Sequence, residues 1–255
     1  MSEQIATQGE NAAALANADL PTNVASSSSE NGASADIVYQ RWGNENAVYR
    51  HVLSSCEPLR VFGRTEPGSD VPISLTVDAR RCAGTEEIDL SRSTITYRGE
   101  VIELGDQNLL SAYASENTRM IKGNDGRNHL QAGDAGTELI GGKGADTLTG
   151  GSGVDQFVFH HPGDSNLRDG YDSIYNFDCG QDKIVISAEG WFPKSEDDRY
   201  DPAGLLKNLV EIEARGHGWW QVTIPSTSKD DPDFYLMVQP NCPRGGLSVD
   251  DFTFV

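Results

Sequence analysis

Basic residues are scarce in this chain: 20 Lys and Arg stand against 39 Asp and Glu, a net charge of −19 over 255 residues. So acidic a surface excludes nucleic acid, whose phosphates need a basic face, and it is repelled by anionic membrane surfaces. It favours cations. Long apolar runs are missing too, and none approaches the ~18 residues that suggest a transmembrane segment. No Lys or Arg precedes Arg41, so the start lacks the basic and apolar parts of a cleavable secretory leader. The five histidines are His51, His129, His160, His161 and His217, and no two are four apart with a Glu between. That excludes the H-E-x-x-H zinc helix. G-x-S-x-G and an EF-hand loop are absent, and Gly142-Lys143 lacks the upstream Gly and following Ser or Thr of a P-loop. Cys56, Cys82, Cys179 and Cys242 form no C-x-x-C pair, which rules out zinc-ribbon and thioredoxin-like sites. Their spacing leaves three disulfide pairings, or buried free thiols, equally open.

The chain changes texture along its length. Met1 to Ala35 is low in complexity, rich in Ala, Ser, Asn and Glu with the run Ser26–Ser29, and buries too little apolar surface to offset its ordering entropy. It is expected to be disordered. Residues 36–112 alternate apolar and polar residues in short runs, at 37–39, 48–49, 59–62, 73–77, 88–90, 94–97 and 101–104, broken by Gly, Pro and Asp. That is strand patterning. Residues 188–255 read as further strands, including 218–224 and 234–238, with one short helix over Leu205–Ala214.

The middle of the chain, residues 113–187, carries a repeat. Ile121, Leu130, Leu139, Leu148 and Phe157 fall every ninth place, and the chain between them is rich in Gly and Asp. In nines it runs GNDGRNHLQ, AGDAGTELI, GGKGADTLT and GGSGVDQFV from Gly123 to Val158. Nine residues fit neither a heptad nor a continuous helix. They fit half a turn of a solenoid: six residues of turn, then a three-residue strand with one side chain pointing in. Gly at the first, second and fourth places allows positive φ and close backbone approach. The sixth place reads Asn128, Thr137, Asp146, Asp155 and, counting on by nine, Asp164. Residues eighteen apart share one side of such a solenoid, so Asp146 is expected opposite Asp164; Asp155 is expected to pair with Asp172, seventeen residues on. Carboxylates and turn carbonyls together make an oxygen cage, which suits calcium better than magnesium.

GGKGADTLT and GGSGVDQFV resemble the calcium-binding RTX nonapeptide, and the stretch GYDSIYNFDCGQDKIVIS from Gly170 to Ser187 resembles the C-terminal domain of serralysin-type secreted proteases. The resemblance implies an all-β fold, a right-handed parallel β-roll (RTX solenoid) with calcium between successive turns, flanked here by β-strand regions and a disordered N-terminus. It implies a secreted, extracellular protein exported by type I secretion machinery that reads an uncleaved C-terminal signal, and Asp250-Asp251-Phe252-Thr253-Phe254-Val255 looks like one. The candidate calcium ligands are the carboxylates of Asp146, Asp155, Asp164 and Asp172 and the turn backbone at Gly141, Gly142, Gly144, Gly150, Gly151 and Gly153. Gly123, Asp125, Asn128 and Asp134 complete them in the first two repeats, where Asn128, Thr137 and Ala135 depart from the motif and binding should be weaker.

Without the zinc helix, what remains resembles only the accessory domain of a protease. The expected protein is therefore a non-catalytic, calcium-binding one whose β-roll folds on meeting calcium outside the cell. Two other classes stay open. One is a secreted hydrolase or polysaccharide-modifying enzyme with 36–112 as its active part; the other is an adhesin or effector that meets a host or matrix protein or glycan. Of the remaining motifs, Gly163-Asp164-Ser165 lies where the register expects a calcium aspartate, and adjacent His160 and His161 would point to opposite faces of a strand. Asp201-Pro202 and Asp231-Pro232 read as turns. Trp219 and Trp220 read as one ring packed inside and one capping the sheet, with a glycan- or partner-binding platform as the alternative.

Overall fold

A computed structural model describes residues 72–103, 109–192, 201–227, 229–242 and 245–255, and the strand backbones Asn23–Ser27, Ala35–Trp42, Ala47–His51 and Arg60–Thr65. The segment expected to be disordered, Met1–Ala35, lies outside the described residues except for the first of these strands and Ala35. The protein is all-β with a single α-helix among the described residues, and its strands form a 12-stranded and an 8-stranded sheet. No helix among the described residues is long and apolar enough to cross a membrane.

The nine-residue repeat becomes alternation between the two sheets. His129–Gln131 and Thr147–Thr149 pair in parallel in the larger sheet, while Met120–Lys122, Glu138–Ile140 and Gln156–Phe159 pair in parallel in the smaller. Strands of three residues cannot stand alone; stacking stabilises them. In the larger sheet one inward row runs Val77, Ala112, Leu130, Leu148, Ile174 and Val238, each 0% exposed. The facing row in the smaller sheet runs Ile88, Ile121, Leu139, Phe157, Ile184 and Phe252. These two rows meet as the core. At roughly 25 cal/mol per Å² of buried apolar surface, each Leu or Phe contributes about 1.5–3 kcal/mol.

Both sheets change from parallel to antiparallel at their ends. The strand Pro72–Asp78 joins four antiparallel strands to the stack, and Thr85–Asp89 leads into a three-stranded meander with Thr94–Tyr97 and Glu100–Glu103. Asp172–Phe177 pairs in parallel with Phe234–Pro240, which continues antiparallel to Trp219–Ile224 and Glu211–Gly216. The C-terminal strand Phe252–Phe254 is the last of the smaller sheet's parallel series.

The expected helix at Leu205–Ala214 is displaced. It spans Pro202–Leu209 because Asp201 caps it, accepting from Gly204 N at 2.9 Å, with Pro202 in the first turn. Glu211 onward is strand, held by its hairpin with Trp219–Ile224 through a turn that uses His217 (φ 52) and Gly218 (φ 80). The cysteine pairing left open by spacing is settled for one bridge: Cys179 is bonded to Cys242 across 63 residues, with Cα atoms 5.0 Å apart. Cys82 is also disulfide-bonded, and Cys56 lies outside the described residues.

Candidate cation-binding turns

Alternation between sheets gathers the turns on two edges of the stack. One edge carries turns 123–128 and 141–146 and the loop 160–171; the other carries turns 132–137, 150–155 and 177–182. Turns eighteen residues apart lie in contact. A Cβ on Gly144, whose φ is +124, would sit 2.6 Å from the carbonyl oxygen of Gly126, and one on Gly142 (φ +96) would sit 2.8 Å from that of Asn124. Only glycine fits such a backbone approach, and carbonyl oxygens crowd between the turns.

A ladder of side chains links successive turns on each edge. On the first, Asn128 N donates to Asp146 Oδ1 at 2.7 Å, and Asp146 N donates to Asp172 Oδ1 at 2.8 Å. On the second, Thr137 N donates to Asp155 Oδ1 at 2.7 Å, and Asp155 N donates to Asp182 Oδ1 at 2.9 Å. All six residues of these ladders are at most 2% exposed.

The edges differ in the second carboxylate oxygen. On the second edge both are satisfied: Asp155 Oδ2 accepts from Gly151 N at 2.6 Å, and Asp182 Oδ2 from Asp178 N at 2.7 Å. Asn176 Nδ2 also donates to the carbonyls of Gly150 and Gly151, at 2.9 and 3.0 Å. On the first edge, Asp146 Oδ2 and Asp172 Oδ2 are buried and have no hydrogen-bond partner. The turns GGKGAD and GGSGVD, so alike in sequence, differ in backbone: Gly142 and Gly144 have positive φ, whereas Gly151 and Gly153 do not.

Burial pushes these carboxyls upward. Asp146 is raised to about 7, first by desolvation and further by the nearby charge of Asp164, against the lowering effect of the Asn128 hydrogen bond. Asp172 is raised well above the usual carboxylate range by desolvation and then by Asp146. Asp155 rises to about 6 by desolvation, opposed by its two backbone donors. Asp164 and Asp182 are raised for the same first reason.

Two of the expected pairings are corrected. The partner of Asp146 is Asp172, not Asp164, and the partner of Asp155 is Asp182, not Asp172. Strand register fixes this, with Leu148 opposite Ile174 and Phe157 opposite Ile184. Eight residues are inserted after the fourth repeat, at 159–166, and a ninth, Asn176, is the bulge between Tyr175 and Phe177. Asp164 sits inside the insertion, where its Oδ2 accepts from His160 N and His161 N at 2.8 and 3.0 Å. Ser165, from the same Gly-Asp-Ser triplet, is buried; its hydroxyl accepts from Asp172 N and donates to Tyr235 O.

In the first two repeats, neutral groups fill the sixth place. Asn128 accepts from Asn124 N at 2.8 Å beside Gly123, and Thr137 Oγ1 donates to Thr118 O at 3.0 Å. Asp125 and Asp134 are exposed, Asp134 accepting from Ser152 Oγ at 2.8 Å. Of the two tryptophans, Trp220 packs against the core and Trp219 stands edge-on to Tyr175, ring centroids 5.1 Å apart.

Ser165 is not among the expected site residues, and Asp182, with Asp178, is marked by the resemblance only as an acidic position that reads equally as a solvated turn residue. The tail of the motif does carry the signal for Asp182: Gly170-x-Asp172-x-Ile174 and Gly180-x-Asp182-x-Ile184 repeat its fourth to eighth places once strict counting is abandoned. Ser165 is marked only as the end of the Gly163-Asp164-Ser165 triplet, and not for the structural role that it plays here.

Among the described residues no three His, Cys, Asp or Glu side chains form a group placed to hold a metal ion. The donors present on the first edge are instead two buried carboxylate oxygens without partners, among stacked turn carbonyls. That all-oxygen set fits a hard cation such as calcium, which would relieve the repulsion between Asp146 and Asp172. No curated protein matches the chain significantly. Residues 121–193, which hold these turns, match the family model described as Peptidase M10 serralysin C terminal, so this part of the chain resembles the RTX-like C-terminal region of the serralysins.

Proposed function

We propose that the protein is a non-catalytic, secreted calcium-binding protein whose stacked turns form a right-handed parallel β-roll that closes on calcium. The observation that carries this reading is the pair of buried, unpartnered oxygens, Asp146 Oδ2 and Asp172 Oδ2. The Asp172 carboxylate accepts from the Asp146 backbone; burial raises both carboxyls, and charge raises them further, Asp164 acting on Asp146 and Asp146 on Asp172, which makes a metal-free state of reduced stability. A divalent cation between turns 141–146 and 160–172 converts that repulsion into attraction. Gly141, Gly142 and Gly144 supply the close-packed backbone, and Asp146 and Asp172 the charge. Asp164 lies near enough to add to the field on both.

In this reading the metal-free fold is only marginally stable, so in the cytosol, where calcium is scarce, the chain opens readily and passes type I secretion machinery unfolded. Outside, calcium drives folding, and a Kd of ~10⁻⁴–10⁻³ M, typical of extracellular modules, would suit such a switch. A site filled at ten times its Kd adds about 1.4 kcal/mol. The non-catalytic part is supported by the use of the nearest hydroxyl and one imidazole in structure: Ser165 Oγ bonds two backbone groups, and His161 Nδ1 accepts from Gly163 N.

Far-UV circular dichroism during a calcium titration, with magnesium as control, tests the proposal. β signal should grow with calcium and not with magnesium. A double variant Asp146→Asn, Asp172→Asn keeps both backbone acceptors and removes both charges. It should lose the calcium response, and an unchanged response would overturn the assignment.

A further inference from the structure

The outward face of the larger sheet carries no charge along six adjacent strands. One outward row, read across the register, is Ser111, His129, Thr147, Ser173, Met237 and Gln221. The next, two residues along each strand, is Tyr113, Gln131, Thr149, Tyr175 and Gln239. Neither row contains Asp, Glu, Lys or Arg, in a chain with 59 such residues. The outward row of the smaller sheet is different: Glu87, Met120, Glu138, Gln156 and Lys183 include three charges in five places. Charges return only at the borders of the neutral face. Arg80 lies over the Tyr113 ring at 4.8 Å, and Arg215 pairs with Glu213 beyond Gln221.

Hydroxyl and amide groups on this face repeat at the strand spacing of ~4.8 Å, near the length of one extended pyranose unit. Aromatic rings stand beside them. Tyr175 is 36% exposed and braced edge-on by Trp219, and Tyr171, 43% exposed, is braced by Tyr235 at 5.1 Å. Rings held by other rings lose little conformational freedom on binding, and they offer an apolar surface with a polar tip. Donors and acceptors in register, ring faces and no charge suit a partner that is itself uncharged, extended and rich in hydroxyls.

We propose that this face binds a neutral polysaccharide, laid across the strands from Tyr113 toward Trp219. The inference does not depend on the calcium reading, because the rows are fixed by sheet register rather than by the turns. A polyanionic glycan is disfavoured by a chain of net charge −19.

Affinity gel electrophoresis of the full chain tests it, run in calcium buffer with the fold checked by circular dichroism in each sample. The probes are a soluble β-1,4-glucan, a β-1,3-glucan and a galactomannan. At least one should retard the protein, and Tyr175→Ala with Trp219→Ala should weaken that retardation tenfold or more. Thr147→Val with Thr149→Val, which keeps the β-branched shape but removes two hydroxyls, should weaken it several-fold, whereas Lys183→Ala on the opposite sheet should leave it unchanged. No retardation of the folded protein by any probe would overturn the proposal, and so would equal retardation of the Tyr175/Trp219 variant. Either failure leaves the calcium titration untouched, so the two readings fail separately.

Discussion

The backbone N–H of Asp146 donates to Oδ1 of Asp172 at 2.8 Å, across 26 residues of chain. One carboxylate therefore serves two ends. Its Oδ1 fixes the spacing between turns, and its Oδ2 is left buried without a partner. The two roles separate by substitution. Asp172→Asn keeps an oxygen for the Asp146 N–H and should fold, with weakened calcium binding. Asp172→Ala strands a buried N–H at a cost of about 1–3 kcal/mol, so it should lose stability even without calcium. Denaturant midpoints in EDTA, set beside calcium titration by calorimetry, compare the two. Equal loss of stability in both variants would contradict the division.

The second edge should behave in the opposite way. Asp182 has both oxygens occupied by backbone donors, from Asp155 N and Asp178 N, and Asn176 already satisfies the neighbouring carbonyls. Asp182→Ala is expected to destabilise the fold by about 2–3 kcal/mol through two unmet donors while changing calcium affinity less than Asp146→Asn does. Calorimetric titration of each variant checks this. A larger calcium defect in Asp182→Ala would mean that both edges bind alike.

Much of this arrangement is legible in the sequence. The ninefold spacing of Leu130, Leu139, Leu148 and Phe157 encodes the alternation of sheets, because one inward side chain per three-residue strand is all that the core rows need. Asp146 and Asp155 are found the same way. Counting fails after Phe157, where eight extra residues before Asp172 and the bulge at Asn176 shift the register by 8 and then 9 residues. A period has no memory of insertions, whereas hydrogen-bond register does. The difference between the two edges was also hidden, since it depends on the positive φ of Gly142 and Gly144, which Gly151 and Gly153 could equally have adopted.

Acid should partly replace calcium. The folded values of Asp146 (about 7) and Asp155 (about 6) lie above the unfolded carboxylate value, so the folded state holds these protons more tightly. That contribution is complete below about pH 4 and is lost as pH rises through 6 to 7. The metal-free protein should therefore melt at a higher temperature at pH 5 than at pH 7.5. General repulsion among acids acts in the same direction, so the discriminating measurement is the slope. It should shrink in the Asp146→Asn, Asp172→Asn double variant, and an unchanged slope would place the titrating groups elsewhere. With calcium saturating, the wild-type slope should flatten or reverse, because protons and calcium compete for the same oxygens.

Gly144 tests how tightly the turns must stack. Its φ of +124 lies where L side chains rarely go, and a Cβ there would come within 2.6 Å of Gly126 O. Gly144→Ala should cost about 1–3 kcal/mol from backbone strain, with more from the forced separation of turns 123–128 and 141–146. Gly99 is the matched control. Its φ of +79 carries a similar conformational penalty, but nothing lies within 4 Å of a Cβ there. The difference between the two alanine variants in denaturant midpoint isolates the stacking part. If the two variants lose equal stability, close approach of the turns is not what this glycine provides.

The Cys179–Cys242 bridge joins turn 177–182 to the chain leaving the strand Phe234–Pro240, and so closes a loop that contains the helix and the final hairpin. Loop closure over 63 residues restricts the unfolded chain by an amount worth about 4 kcal/mol. The bridge also holds Asp178 and Asn241 together, where Asn241 Nδ2 donates to Asp178 Oδ1 at 3.2 Å and to Asn176 Oδ1 at 2.7 Å. Cys179→Ala with Cys242→Ala should accordingly lower stability most at the C-terminal end. Amide exchange should quicken in Asp172–Phe177 and Phe234–Pro240, while His129–Gln131 and Glu138–Ile140 keep their protection, since their partners, Leu109–Tyr113, Thr147–Thr149, Met120–Lys122 and Gln156–Phe159, all precede the bridge. Uniform loss of protection across all of these strands would show instead that the stack unfolds as one cooperative unit, with the bridge acting on the whole of it.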